Sequence, residues 1–255
     1  MTSRFLTCTI PLMFIFFSSL LFADTETKGF KLGEIKKIDI DNTNGDVEFV
    51  TSTNDQVVVS YEKENCSKEY LLLIEQKGDT LAIKSEKNTN ISWWDRFFGD
   101  SDWNCTIHIA LTIPKDISVK YKAISGNLSA EGFKGSLNFD VVSGDIDIAS
   151  GEISDLQGKS VSGEIRAVGL TSSAQVEVVS GDVMLRYAKS PQNGRLEIKS
   201  ISSDAVVFLP PDATFSSDFS ATSGEFKNDF SDIKDATFKI AFKSVSGNLE
   251  ISKSE

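Results

Sequence analysis

The sequence predicts an all-β protein, most of it a single-stranded β-helix, a solenoid whose coils turn at Ser-Gly corners. A short phrase recurs between residues 117 and 252: an apolar residue, Ser-Gly, an acid or amide, and another apolar residue. Successive copies lie 18 to 23 residues apart, an interval typical of solenoids and other repeat arrays. Residues before each copy alternate between apolar and polar, as in a strand with one buried face.

A glycine anchors each copy at the predicted corner. Glycine tolerates the backbone of a bend or a β-bulge. We expect two short strands to meet at each corner, and equivalent strands of successive copies to pair about 4.8 Å apart. The predicted structural corners are Gly126, Gly144, Gly163, Gly181, Gly224 and Gly247, with Ser203 in the same place in a weaker copy.

The alternation of apolar residues shifts by one position at each corner. In the copy at Gly144 the apolar positions become Val142, Ile146 and Ile148. Such a shift turns side chains to the opposite face of a strand, so we expect the corner to bend the chain and return these residues to the interior. The alternative is a β-sandwich whose hairpins carry Ser-Gly turns, which gives no reason for the same shift in copy after copy.

Residues 1–23 have the pattern of a secretory signal peptide. Arg4 precedes an apolar segment, and Ala23 is a suitable last residue before cleavage. The alternative is an uncleaved anchor, although the segment is shorter than the roughly 20 apolar residues of a spanning helix. Cleavage predicts an exported chain, periplasmic or at the cell surface, with no integral membrane segment.

Residues 24–114 are predicted to form a β-rich N-terminal region that leads into the solenoid, residues 115–255. Asn44-Gly45 resembles a degenerate first corner, and Lys77-Gly78-Asp79 is typical of a hairpin turn. Pro114 ends the last strand of the region, which places the boundary there.

Two cysteines remain after removal of the signal peptide, Cys66 and Cys105. An exported domain favours disulfides, and two cysteines allow one intramolecular pairing. We expect a Cys66–Cys105 bond; the alternative is two separate thiols.

The order of several motifs resembles a known family. The motifs are an opening Ile-Asp-Ile followed by Asn-Gly-Asp-Val-Glu-Phe, a middle Gly-Asp-Thr-Leu-Ala-Ile, a strand that ends Leu-Thr-Ile-Pro-Lys, and the serial Ser-Gly copies. From about Ile35 to Ile251 the chain resembles the bacterial putative-adhesin family with β-strand repeats, domain of unknown function 4097. The resemblance implies an exported β-solenoid and supplies no catalytic residues.

An acidic or amide residue follows each corner. In a regular stack these side chains would lie one above another, and a cation such as calcium would relieve the repulsion between their carboxylates. The alternative is that they serve turn geometry and solubility. The residues are Asn127, Asp145, Glu164, Asp182, Asp204, Glu225 and Asn248, of which Asp145, Glu164, Asp182, Asp204 and Glu225 are the calcium candidates.

The loop 88–104 holds all three tryptophans of the chain. Clustered aromatic residues amid charges are typical of a binding surface, but large aromatic residues also close the open end of a solenoid. The candidate binding residues are Trp93, Trp94, Phe97, Phe98 and Trp103.

The rest of the composition bears on function. The chain has 26 basic and 37 acidic residues, a net charge of −11, and no basic run, so we expect no nucleic-acid partner. Its one histidine, His108, alternates with Ile107 and Ile109 and is expected to face solvent. No catalytic set, cofactor or metal cluster is predicted.

The favoured hypothesis is a non-catalytic, adhesin-like scaffold or binding module whose partner is an envelope protein or a glycan. The alternatives are a carbohydrate-active β-helix enzyme and an envelope assembly or stress factor.

Overall fold

The structure, a computed structural model, describes only part of the chain. The predicted signal peptide, residues 1–23, and the aromatic loop, residues 88–104, with Trp93, Trp94, Phe97, Phe98 and Trp103, lie outside the described residues. The described residues form strands, turns and bends, with no helix among them, which confirms the all-β prediction. They are residues 25–31, 35–53, 56–67, 70–87 and 105–254.

Within the described ranges, twenty strands belong to one sheet. The first ten are β1 Thr25–Lys31, β2 Lys37–Asn44, β3 Val47–Ser52, β4 Gln56–Glu64, β5 Tyr70–Lys77, β6 Thr80–Lys87, β7 Thr106–Pro114, β8 Ile117–Ser125, β9 Leu128–Glu131 and β10 Phe133–Ser143. The others are β11 Ile146–Ile148, β12 Gly151–Ser162, β13 Ile165–Ser180, β14 Val183–Tyr187, β15 Gly194–Ser202, β16 Ala205–Leu209, β17 Ser216–Ser223, β18 Phe226–Asn228, β19 Phe238–Ser246 and β20 Leu249–Lys253.

The Ser-Gly copies stack by parallel pairing of equivalent residues. Hairpins pair their strands antiparallel, so this parallel register contradicts the sandwich alternative and confirms the lateral pairing. The corner serines are in register in the pairs Ser125–Ser143, Ser143–Ser162, Ser162–Ser180, Ser180–Ser202, Ser202–Ser246 and Ser246–Ser223.

The core lies between the strands that precede the corners and those that follow them. In the copy at Gly144, Phe139 and Val141 point inward before the corner and Ile146 points inward after it; all are buried. A Cβ at Gly158 would lie 2.2 Å from Cζ of Phe139, so the neighbouring strand leaves room for that ring. The alternation of apolar residues therefore predicted the buried face of the strands before the corners.

The residue two positions before each corner does not return to the interior. Val142 is 49% exposed, whereas Val141 is 1% exposed. The strand keeps its alternation up to the corner, and the chain then turns at a glycine with φ of 143° at Gly144. Our expectation that the bend would bury Val142 is therefore wrong. The bend comes after Val142, so it cannot turn that side chain back to the interior.

The last two copies stack in the reverse of their order along the chain. β19 lies between β15 and β17, so the copy at Gly247 sits inside and the copy at Gly224 lies at the end of the stack. Composition explains the exchange: β19 buries Phe238, Ile240 and Phe242, whereas β17 is mostly polar and partly exposed. An apolar strand gains more from two neighbours than a polar one does.

The N-terminal strands continue the stack at its other end. β2 and β3 pair in parallel with β8 and β9, and Asn44 is in register with Ser125. Asn44-Gly45 therefore occupies a corner position, as predicted. Beyond them β6 and β7 add in parallel, while β5, β4 and β1 pair antiparallel. The turn between β5 and β6 contains Gly78 with φ of 62°, in agreement with the predicted hairpin.

Candidate functional site

The corners bring glycine backbones closer together than any other residue would allow. A Cβ at Gly144 would lie 2.1 Å from the carbonyl oxygen of Gly126, and one at Gly163 would lie 2.1 Å from that of Gly144. The glycine φ angles at the six predicted corners run from 128° to 154°, a region that side chains disfavour. Glycine is thus required at these positions for two reasons: its positive φ and the close contact between the backbones of neighbouring copies.

Ser203 is the exception among the corners. The non-glycine residues with positive φ in the described part of the chain are Asn65 and Asp116, so Ser203 adopts a different backbone conformation. Its side chain is buried, and its Oγ has no hydrogen-bond partner among the described residues. The weaker copy therefore keeps the register of the stack without the glycine geometry.

Residues that follow several of the corners form hydrogen-bonded ladders along the stack, one from Asp46 to Glu164 and one from Asp204 to Glu225. Oδ1 of Asn127 accepts the backbone N–H of Asp145 at 2.9 Å, and Oδ1 of Asp145 accepts that of Glu164 at 2.8 Å. The same bond links Asp46 to Asn127, Asp204 to Asn248, and Asn248 to Glu225. Asp46 thus joins the predicted ladder as its first member.

The ladder bonds give a structural role to the side chains that accept them, which favours the interpretation that these residues serve turn geometry. They are Asp46, Asn127, Asp145, Asp204 and Asn248. Side-chain oxygens satisfy backbone N–H groups that the sheet leaves free at the bend. The described residues contain no group of three or more His, Cys, Asp or Glu arranged to hold a metal ion. Calcium binding by Asp145, Glu164, Asp182, Asp204 and Glu225 stays a prediction.

A row of exposed aliphatic side chains runs parallel to the ladder. Each member stands two positions before a corner and is 41% to 59% exposed. The register of the strands places the members side by side in the stack. We name this surface the aliphatic row: Ile124, Val142, Val161, Val179, Ile201 and Val245.

Charged side chains flank the aliphatic row two positions further back along the same strands. Lys159 Nζ lies 3.2 Å from a carboxylate oxygen of Glu177, and Lys199 Nζ lies 3.6 Å from the other. Hydrogen bonding to Lys159, with the nearby charge of Lys199, lowers the pKa of the Glu177 carboxyl. Part of the row and these charges line a shallow groove of about 450 Å³ that includes Val161 and Val179.

Sequence reasoning missed the aliphatic row, although its signal was in the phrase itself. An aliphatic residue precedes Ser-Gly in five of the six glycine copies, Thr222 being the exception. Placing these residues in the core required a bend that restored their inward direction. Successive residues of a strand point to opposite faces, so Val142 must face away from Val141. Extending the alternation of the buried strand up to the corner would have placed the aliphatic residues on the outer surface.

The remaining predicted residues lie elsewhere. Cys66 and Cys105 form a disulfide bond with an S–S distance of 2.03 Å, as expected. His108 faces outward between Ile107 and Ile109, and its Nδ1 accepts the backbone N–H of Asp46 at 3.3 Å. No helix in the described part of the chain has the length and apolar character needed to cross a membrane.

Comparison with known proteins relates the chain to one family. It matches the Toastrack DUF4097 family over residues 35–142 and 117–252. No curated protein matches it.

Several solved structures align with most of the chain at low sequence identity. A "putative adhesin" from Bacteroides fragilis is 15% identical, with a TM-score of 0.47 and coverage of 91% of this chain and 97% of that one. A "putative cell adhesion protein" from Clostridium sporogenes is 13% identical, with a TM-score of 0.39 and coverage of 91% and 100%. A "putative lipid binding protein" from Parabacteroides distasonis is 14% identical, with a TM-score of 0.34 and coverage of 91% and 97%.

Proposed function

This chain belongs to the Toastrack DUF4097 family, and from that premise we propose that it is an exported, non-catalytic, adhesin-like binding module of the cell envelope. The observation that carries the proposal is the aliphatic row. Single exposed apolar residues are ordinary, but a contiguous exposed apolar patch is typical of an interaction site. At about 4.8 Å per copy the row is roughly 24 Å long, the scale of a protein–protein contact.

The surroundings of the row favour an envelope protein over a glycan as the partner. An apolar strip with a charged rim is the usual composition of a protein interface. The row has the corner ladder on one side and the charges of Lys159, Glu177 and Lys199 on the other. A glycan site would be expected to present aromatic platforms; the aromatic residues that could supply one, Trp93 and Trp94, belong to the loop outside the described residues.

Export and domain organisation are part of the same proposal. A disulfide such as Cys66–Cys105 persists in oxidising compartments outside the cytoplasm. We propose that residues 1–23 are removed, that residues 24–114 and 115–255 are the N-terminal region and the solenoid, and that the parallel stack is a single-stranded β-helix. The mature chain would then act in the periplasm or at the cell surface.

The absence of catalysis is proposed because several of the polar groups along the corners already have structural partners. Asp145 and Asp204 accept backbone N–H groups, and His108 accepts that of Asp46. The test is incubation of the purified chain with envelope polysaccharides. Release of reducing sugar ends would contradict a non-catalytic role and favour a carbohydrate-active enzyme.

Binding is tested with purified mature chain and isolated envelope fragments. We expect the chain to cosediment with the fragments, and the triple variant Val142→Ser, Val161→Ser, Val179→Ser to lose most of this binding. The matched control changes three exposed polar residues on the same strands: Asn138→Ser, Gln157→Ser, Gln175→Ser. Equal binding by the two triple variants would contradict the proposal.

Two further experiments identify the class of the partner and the role of the aromatic loop. Protease treatment of the envelope fragments should abolish binding, whereas glycan removal should leave it intact; the reverse result would make the partner a glycan. The variant Trp93→Ser, Trp94→Ser distinguishes the two predicted roles of the loop. Normal stability with lost binding would favour a binding loop, and a large loss of stability would favour a cap.

A further inference from the structure

The copy at Gly224 ends the stack. Among the described strands, β17 pairs with β19 alone and β18 pairs with β20 alone, whereas each strand inside the stack has a neighbour on both sides. Asp232 accepts the backbone N–H of Ser217 at 2.7 Å at the start of β17. The outer edge of the strand from Asp218 to Ser223 therefore presents backbone groups that no described strand covers.

The hydrophobic core is open at the same end. Phe219 is in register with Phe242 and stacks on it at 5.6 Å, but Phe242 is fully buried and Phe219 is only partly so. Phe226 stacks on Phe219 at 5.4 Å and is 39% exposed, whereas its register partner Leu249 is 1% exposed. The last aromatic layer of the core thus faces out of the stack.

The two ends of the stack differ in the strands that form their outer edges. At the N-terminal end, antiparallel strands cover the parallel ones and the Cys66–Cys105 disulfide ties them together. Natural sheets protect free edges with lysine, proline, bulges or very short strands. β17 is eight residues long, Ser-Ser-Asp-Phe-Ser-Ala-Thr-Ser, and contains neither lysine nor proline. The free part of this edge, from Asp218 to Ser223, carries one charge, at Asp218, and is a template for pairing with another strand.

We propose that this end is a dimer interface, at which β17 of a second copy of the chain pairs antiparallel with β17. Two-fold symmetry about Phe219 brings the partner's Phe219 opposite Phe219, so the aromatic stack continues across the interface. The same register sets Asp218 opposite the partner's Ser220, and no like charges face each other. The outermost described strands at the N-terminal end, β1 and β5, run antiparallel to their neighbours and contain lysine, which protects a sheet edge. The symmetric pairing of two C-terminal ends is therefore favoured over a head-to-tail one.

The register makes the proposal testable by charge. Ser220 is exposed on β17 and is in register with Lys243 of the same copy. Lys243 is its neighbour in monomer and dimer alike, so a change in dimer affinity reports on the partner's strand. Ser220→Lys places a lysine opposite the partner's Asp218 at two symmetry-related positions and should strengthen the dimer. Ser220→Asp places like charges there and should weaken it. Cross-strand pairs of this kind change dimer affinity by roughly two- to thirtyfold when two act together.

The experiment is sedimentation equilibrium of the disulfide-intact mature chain across a concentration series. We expect a monomer–dimer equilibrium whose affinity is highest for Ser220→Lys, intermediate for the unaltered chain and lowest for Ser220→Asp. The controls Asn138→Lys and Asn138→Asp make the same change of net charge on a strand inside the stack and should leave the affinity unchanged. A mixture of Asp218→Cys and Ser220→Cys chains should also form a disulfide-linked dimer on mild oxidation.

Each other outcome overturns the proposal. A chain that stays monomeric at every concentration would mean that a second copy does not cover this end. A dimer whose affinity responds equally to the changes at Ser220 and Asn138, or one that yields no cross-link between positions 218 and 220, would place the interface elsewhere. This test does not depend on the aliphatic row, which lies along the side of the stack.

Discussion

The side chain of Asn127 holds the backbone of Asp145: its Oδ1 accepts the Asp145 N–H at 2.9 Å. The two residues follow successive corners, 18 positions apart in the chain. The bond replaces a backbone pairing that the bend at the corner prevents, so it fixes one copy on the next. We expect Asn127→Ala to lower the free energy of unfolding by about 1 kcal/mol.

Chemical denaturation measures this change. Ser129→Ala is the matched control, because Ser129 is exposed two residues further along and is not a member of the ladder. Equal stability of the Asn127 and Ser129 variants would mean that the ladder bond contributes nothing to the fold.

Gly144 is expected to be intolerant of a side chain. Alanine there would combine an unfavourable φ of 143° with a Cβ only 2.1 Å from the carbonyl oxygen of Gly126. We expect Gly144→Ala to cost more than about 3 kcal/mol, because the neighbouring backbone must move. Gly78→Ala is the control: φ is 62°, but nothing lies within 4 Å of the added Cβ, so its cost should be about 1 to 2 kcal/mol. Similar losses for both variants would contradict the close approach at the corners.

Ser203 gives a prediction of opposite sign. Its buried Oγ lacks a hydrogen-bond partner among the described residues, and an unpaired buried hydroxyl is destabilising. Ser203→Ala should therefore keep or raise the midpoint of thermal unfolding. A fall comparable to that of Gly144→Ala would indicate that the hydroxyl has a partner after all.

The disulfide should contribute measurably to stability. Cys66 and Cys105 are separated by 39 residues, and closing a loop of this length stabilises a fold by about 2 to 4 kcal/mol. We expect the variant Cys66→Ser, Cys105→Ser to unfold at correspondingly lower denaturant concentration. Addition of a reducing agent should lower the midpoint of the unaltered chain and leave that of the double variant where it is.

Two buried tyrosines predict loss of stability in alkali. Burial raises the pKa of Tyr187, and burial with the nearby charge of Asp46 raises that of Tyr121. A raised pKa in the folded state means that only the unfolded chain ionises near pH 10, so stability is complete below about pH 10 and falls as the pH rises further. Tyr187→Phe should weaken this dependence. Denaturation midpoints that fall equally steeply for the variant and the unaltered chain would contradict the assignment.

The Ser-Gly phrase recurs at glycines of positive φ that follow serines in register. Its glycines need a special φ, and the same residues recur where the copies touch, so local sequence and stacking coincide at positions such as Gly144. The reversed order of β17 and β19 could not be predicted from the repeat, because both carry the phrase. It follows from a comparison of buried surface, in which Phe242 and Ile240 gain more from the interior than Phe219 gains among serines.

The aliphatic row illustrates a second limit of sequence reasoning. Val142 has the side chain of a core residue, and only its parity relative to Val141 distinguishes the two faces of the strand. The ladder was predicted as a row of acids and amides, but its hydrogen bonds depend on which atom of Asn127 reaches the next backbone. Neither feature can be deduced from residue types alone.

The most direct test of the binding surface is hydroxyl-radical footprinting of the chain, free and bound to envelope fragments. If the aliphatic row is the contact surface, binding should protect Val142, Val161 and Val179 from labelling. Met184, which is 37% exposed on a strand that follows a corner, should be labelled equally in both states. Protection of Met184 with unchanged labelling of the three valines would contradict the account.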